Sequence, residues 1–499
     1  MKINEILTDF FCKEYNIDIY KDYSIELVDP KELIVSERLD LIAKIKYIEY
    51  REKGYDMSFI KELYIAHIEA FSQGLFIEPG NPNKVTIDDY LDTFNNLIDT
   101  IKKNGFDLQK SIVPVGKNNI ILDGAHRTAI AIYFNIKLPI VRFENLEVNF
   151  NSNFFKQRLL LDKYVDYLVY EFCKFKNNTY IACLWPRGEN ISLREEAKKI
   201  ILNHDVKIVY EKNIELSYTG LTNLMIQAYS NQKWIGNIDN KYKGIYKKVD
   251  ACYAKKSPLK ILILEGDSFE EILKIKSEIR DLFNIENHCI HITDNKIETL
   301  QLSGPLLNEN SIKFLNSKKE LKYLEFEKRI LQFRNYIYEN KYDIEDFLID
   351  SSSTLGVYGI REPQDIDFIS LQSNTKLPEN DIWNDHQNHI KYYNKSVEEL
   401  ILNPDNYFFY NDLKFITLSN LKVFKKNRNE EKDKLDLKLI NNINEISFKS
   451  KCNNMKYKFL ISYRNFKTRL KNILKIILSK IGIYQIILPF YRKLKELLK

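Results

Sequence analysis

The 499-residue sequence keeps its cysteines apart. Cys12, Cys173, Cys183, Cys252, Cys289 and Cys452 are widely spaced and form no C-x-x-C pair. This spacing fits free thiols in a reducing cytosol and argues against a disulfide or zinc framework. Glycine (15) and proline (12) are too scarce for a collagen-like or linker-like chain. No run of about 20 apolar residues occurs, so no membrane-spanning helix is expected. Met1–Phe11 carries Glu5 and Asp9 and lacks the basic start and continuous apolar run of a signal peptide. A cytoplasmic location is therefore expected. An excess of one charge is lacking as well. The 75 basic and 69 acidic residues leave a net charge of +6, which gives no strong nucleic-acid signal. No internal repeat is visible.

What is present is material for folded cores: 44% hydrophobic and 29% charged residues. At roughly 100–200 residues per domain, the length predicts about three domains. The patterning gives α/β and α+β blocks over 1–150, 175–320 and 325–445, and a basic helical tail over 455–499. In the first block, Ser24–Val28 reads as a strand, and helical periodicity covers Arg38–Arg51, Met57–Ser72 and Asp88–Asn104. Ile112–Val115 and Asn119–Leu122 read as a hairpin, Gly124–Phe134 as a helix and Leu138–Phe143 as a strand. In the second, strands at Thr179–Leu184, Val206–Tyr210, Leu259–Leu264 and Cys289–Ile292 alternate with helices at Ser192–Asn203 and Ser268–Phe283. In the third, the helix Leu324–Glu339 precedes strands at Phe347–Ile349, Asp365–Ile369 and Leu413–Thr417.

The segment IILDGAHR ends a strand at Asp123-Gly124 and starts a helix at once. The first N–H groups of a helix lack internal partners and attract anions. Arg127 can grip a phosphate by two hydrogen bonds, and His126 can donate or transfer a proton. Glu78 and Asp123 are the candidate general bases. The stretch IVPVGKNNIILDGAHRTAIAIYFNIKLPIVRF resembles the ParB/sulfiredoxin superfamily over about 35 residues, and Pro30 and Arg38 upstream are compatible with it. That resemblance implies nucleotide binding at Gly124, His126 and Arg127. The nucleophilic Cys of sulfiredoxins is Ala125 here, which excludes their chemistry. Ala125-His126 is closest to the D-G-H-H-R form of kinase-like and nuclease-like members, and the insertion carrying Glu78-Pro79-Gly80 departs from the partition proteins.

Asn287, His288, His291 and Asp294 follow Arg280-x-x-Phe283. A phosphoryl-accepting histidine needs a free ring nitrogen and nearby cations, and Arg280 is a candidate for the latter. Residues 179–316 resemble nucleoside diphosphate kinases, with a ferredoxin-like fold implied. His291 falls at their phosphorylated His in N-x-x-H-G-S-D, and Asp294 at the Asp. Trp185 and Arg187 replace the Lys and Asp of the opening K-P-D, and His288 replaces the Asn. The resemblance therefore implies a diverged member of that fold.

Asp350-Ser351-Ser352-Ser353 precedes Arg361-Glu362 and Asp365-Ile366-Asp367. Carboxylates two apart on a strand share a face and can hold Mg²⁺ or Mn²⁺. A Ser-rich turn can hold a triphosphate through backbone N–H groups. Residues 345–440 resemble the nucleotidyltransferase superfamily. The resemblance implies metal ligation by Asp365 and Asp367, and nucleotide contacts by Ser352 or Ser353 and by Arg361. Asp385 and Asp412 are both open as the third carboxylate that active members carry.

From Arg464 to Lys499 ten basic residues are interleaved with Leu and Ile, and the only acid is Glu496. Such a helix can lie in an anionic membrane surface, here the inner face, or pack on the core with a solvated basic side. The expectation is a transferase using ATP or another nucleoside triphosphate with Mg²⁺ or Mn²⁺, acting on a small-molecule or glycan acceptor. The module combination resembles proteins of bacterial surface-polysaccharide gene clusters. Two rivals stay open: a ParB-like nucleic-acid-binding or nuclease-like protein, and a non-catalytic scaffold of degraded enzyme folds.

Overall fold

The computed structural model describes residues 7–78, 84–107, 112–318, 321–371, 377–378, 380–443 and 448–481, the stretch 448–458 as helical backbone alone. Pro79, Gly80, the Cys452 side chain and the tail beyond residue 481 lie outside the described residues. Among the described residues the architecture is mixed α/β with three small sheets, one in each sequence block.

The first block opens with α1 (Asp9–Glu14) and β1 (Glu26–Val28). Helices α2 (Asp40–Lys53), α3 (Ser58–Ser72) and α4 (Ile87–Asn104) follow. A reciprocal Thr86–Asp89 capping box starts α4, and Gly105 at φ 71° ends it. Strand β2 (Val113–Val115), α5 (Ala125–Phe134) and β3 (Leu138–Arg142) complete the block. Strand β3 lies between β1, antiparallel to it, and β2, parallel to it. The second arm of the expected hairpin shrinks to a single bridge between Val115 and Ile121. Asn118 and Asn119, both at positive φ, coil the chain before it can pair further.

Between the first and second blocks lie α6 (Ser152–Gln157) and α7 (Asp162–Phe175), which lead into β4 (Thr179–Leu184), α8 (Ile191–Asn203) and β5 (Val206–Ile214) of the second. Two helices absent from the sequence reading, α9 (Tyr218–Tyr229) and α10 (Ile245–Cys252), intervene before β6 (Leu259–Gly266). Next come α11 (Phe269–Phe283), β7 (Ile290–Ile292), α12 (Lys296–Leu306) and α13 (Glu309–Ser317). The sheet runs β5-β6-β4-β7 and every pair is antiparallel.

The third block holds α14 (Leu324–Glu339), β8 (Phe347–Ile349), α15 (Ser351–Val357), β9 (Ile366–Ser370) and β10 (Trp383–Asp385). It continues with α16 (Val397–Leu402), β11 (Tyr407–Tyr410), β12 (Leu413–Ile416), α17 (Leu418–Arg428) and α18 (Glu431–Asn441). Its mixed sheet has the order β10-β9-β8-β12-β11. The long helix α19 (Phe448–Lys480) comes last.

One hydrophobic cluster runs from Leu33 to Ile440 and joins the three blocks. Helix α7 sits within it, buried continuously from Tyr164 to Cys173, as expected of a helix packed on all sides. Glu171 of α7 meets Lys46 at 3.3 Å in the first block. Asp166 accepts from the Tyr210 hydroxyl at 2.7 Å in the second. The Tyr170 ring lies 5.5 Å from Phe409 in the third.

Candidate active site: a cation-lined cavity around His291

Strand β7 buries Ile290 and Ile292 against α8 and α11. The two-residue period of a strand then turns His291 to the opposite face. There its ring meets Tyr229 edge-on, with centroids 5.1 Å apart, and stacks over Trp185 at 6.3 Å. The imidazole borders a cavity of about 820 Å³. Lys276 and Arg280, one helical turn apart on α11, line one wall. Helices α9 and α10 and their connection form the roof, with Tyr229, Trp234, Lys243, Lys247 and Lys248. Five cationic side chains thus face Asp294 and Glu298.

Two of the cations are fixed by neighbours. Lys276 donates to Asp294 at 3.0 Å and to the Ile292 carbonyl at 3.0 Å. Lys248 donates to Asn287 Oδ1 at 2.9 Å and lies 3.4 Å from His288 Nδ1. Burial lowers the pKa of Lys248, with Arg280 adding to the effect. Arg280 has a buried Nε with no hydrogen-bond partner and no carboxylate partner among the described residues. Such a group costs free energy unless an incoming acceptor satisfies it. Burial, followed by the charge of Lys276, pushes the His291 pKa down to about 3, and Lys248 and Arg280 add to this while Asp294 opposes it. The ring is therefore neutral at physiological pH, and one of its nitrogens carries a lone pair. His288 is held low by burial and by Lys248.

The departures at Trp185 and Arg187 have structural roles. Trp185 forms the floor under His291. The Arg187 guanidinium donates to the Ala251 and Asp250 carbonyls at 3.3 and 3.2 Å, tying the end of α10 over the cavity.

The Asp123–Arg127 turn folds as expected, with Gly124 at φ 81° beginning α5. Its side chains turn inward. Arg127 bends back so closely that a Cβ on Gly124 would lie 2.9 Å from its Nη2, and Nη1 donates to the Ile112 carbonyl at 3.2 Å. His126 Nε2 lies 2.8 Å from the Tyr64 hydroxyl, and the ring packs on Phe94 at 4.5 Å. Burial, then Lys44 and Lys84, holds its pKa well below the usual value. Arg38 grips Asp40 with two bonds of 2.8 Å, and Lys44 bridges Asp40 to His67. Glu78 pairs with Lys84 at 2.8 Å, and Asp123 is exposed at the surface.

In the third block the pairing of carboxylates differs from the expected one. Strand β9 begins at Ile366, so Asp365 precedes it and accepts from Asn384 at 2.6 Å. Asp367 is joined instead by Asp350 and His386, whose ligand atoms and its own all lie within 4.8 Å of one another. His386 Nδ1 is 3.0 Å from Asp350 Oδ1, and the Tyr393 hydroxyl donates to Asp350 Oδ2 at 2.8 Å. Burial and the neighbouring Asp350 raise the Asp367 pKa to about 6. Burial alone would lower that of His386, but Asp350 outweighs it and raises it. Two carboxylates and an imidazole form a donor set suited to a divalent ion such as Mn²⁺ or Zn²⁺. Ser353 Oγ donates to the Asp365 carbonyl at 3.2 Å and accepts from the Asp367 N–H at 3.3 Å, bracing the strand. Ser352 is buried, and Arg361 pairs with Asp436 at 3.3 Å. Asp412 is held by Gln301 and Arg334, and Asp385 accepts from the Gln387 N–H.

No protein-family model, curated protein or solved structure matches this chain. Of the residues singled out in the sequence, the structure brings Arg280, His288 and His291 together at the cavity and places Asp367 in the second cluster. Sequence reasoning missed the roof lysines, although KYKGIYKK (Lys241–Lys248) was a visible signal. It also missed Asp350 and His386 as partners of Asp367.

Proposed function

We propose that this chain is a phosphotransferase with His291 as the phosphoryl acceptor. The observation that carries the reading is the neutral imidazole set at a cavity lined by five cations. The His291 lone pair forms an N–P bond to the terminal phosphorus of a nucleoside triphosphate as the bond to the diphosphate oxygen breaks. An acceptor hydroxyl oxygen then forms a bond to the phosphorus as the N–P bond breaks, its proton passes to solvent, and the free imidazole returns. Arg280, Lys248 and the roof lysines neutralise the negative charge of the nucleotide and of the transfer. Supporting this reading, the β5-β6-β4-β7 order, with helices after β4 and β6, is that of a ferredoxin-like βαββαβ unit. A sugar hydroxyl as acceptor, a role in surface-polysaccharide synthesis and a cytoplasmic site of action rest on the sequence resemblance and on the five cysteines that are free thiols among the described residues.

The test is incubation with γ-labelled ATP. Label should be acid-labile and base-stable, as for a phosphohistidine, and absent from His291→Ala. Label that persists in His291→Ala overturns the assignment.

A second reading is favoured by the Asp350–Asp367–His386 group: the third block binds a divalent ion that neutralises nucleotide phosphates. The residues that would hold it are those three, with Asp365 left out by its bond to Asn384.

A further inference from the structure

Helix α19 is joined to the first block by one polar side. Asn465 Nδ2 donates to Glu69 Oε1 at 2.6 Å, Arg464 reaches Glu69 at 3.4 Å, and Thr468 Oγ1 donates to Gln73 at 3.2 Å. Arg464 also donates to the Arg158 carbonyl. The approach is close: a Cβ on Gly74, itself at φ 80°, would lie 2.5 Å from the Asn465 side chain. Positions 460, 461, 464, 465, 468, 472 and 478 are the half-covered ones along the helix, the 3.6-residue period of a helix resting on one side.

The opposite side is apolar and open. Phe459, Tyr463, Phe466, Leu470, Ile473 and Ile477 follow at steps of four and three residues, and all are exposed. Phe459 is 71% exposed and Phe466 66%, so no described residue of the protein covers this face. Lys467 and Lys471 border it on one side, and Arg469 and Lys480 on the other, all exposed. Residues 459–481 contain six basic residues and no acid.

We propose that this face of α19 docks on an anionic lipid surface, an inference independent of the phosphotransfer reading. The apolar strip enters the boundary between headgroups and acyl chains, and the flanking lysines and arginines extend to the lipid phosphates. A four-three spacing also suits a seam between two helices. The charge pattern selects lipid over a second copy, since paired α19 helices would bring cations together with no acid on the helix to meet them. No described helix is long and apolar enough to cross a membrane, so the helix lies along the surface.

The test uses the full chain and vesicles of phosphatidylcholine with and without phosphatidylglycerol. Sedimentation with the anionic vesicles alone, weakened by salt, is the expected result. Phe466→Ser with Leu470→Ser should abolish it, and Lys467→Glu with Lys471→Glu should weaken it about tenfold or more. These side chains are exposed, so unchanged circular dichroism should confirm folding. Equal sedimentation of wild type and variants overturns the proposal. So does a dimer in ultracentrifugation that Phe466→Ser with Leu470→Ser dissociates.

Discussion

His386 Nδ1 lies 3.0 Å from Asp350 Oδ1, so one proton bridges them where a divalent ion would also find both ligands. A cation must displace that proton and the one on Asp367. Calorimetric titration with Mn²⁺ or Zn²⁺ should therefore show affinity falling as pH drops through about 6, the Asp367 value. Asp350→Asn and Asp367→Asn should each weaken the ion by at least about tenfold, while Asp365→Asn leaves it within about twofold. Equal losses at Asp365 and Asp350 would restore the D-x-D pairing.

His291 also leaves a mark on stability. Its folded pKa of about 3 lies below the unfolded value of about 6.5. Between those values the unfolded chain binds the extra proton, so stability rises with pH across this window. Its contribution is fully present above about pH 6.5 and is lost as pH falls toward 3. Denaturant unfolding of wild type and His291→Asn should differ in slope over that window and run parallel above it.

On the proposed phosphotransfer reading, Arg280→Ala should remove a charge-assisted partner of the nucleotide, a loss of about 1.5–3 kcal/mol. Nucleotide affinity measured by calorimetry should fall about tenfold or more. Unfolding should be little affected, because Arg280 has no carboxylate partner among the described residues.

Arg127→Ala should act in the reverse way. The guanidinium braces the start of α5 against the Ile112 carbonyl. Its removal should cost about 1–3 kcal/mol of stability by denaturant unfolding. Labelling of His291 should proceed at the wild-type rate.

The regular elements were legible where periodicity is strong. The cores of β4, β6, α4 and α11 lie where the apolar pattern puts them. His291 was singled out by the resemblance of its segment to N-x-x-H-G-S-D, and the structure sets it in β7 between two buried isoleucines. The roof was not legible, because α9 and α10 interrupt the β5–β6 connection and only tertiary packing folds Lys243 and Lys248 back over His291. The Asp350–His386 pairing escaped for a related reason. Thirty-five residues separate the two, and β10 must add parallel to β9 before they meet. The strand expected from Asp365 begins one residue later, at Ile366, so Asp365 stands just outside it.

Helix α7 should make the molecule unfold as one unit. Its Glu171, Asp166 and Tyr170 engage the first, second and third blocks in turn, so releasing any one block strands buried apolar and charged groups on the other two. Calorimetry should show one melting transition, where three self-sufficient domains would give three. Evolutionary loss of a single block is correspondingly expensive: a chain that discarded one block would have to rebuild this helix before the remainder could stand.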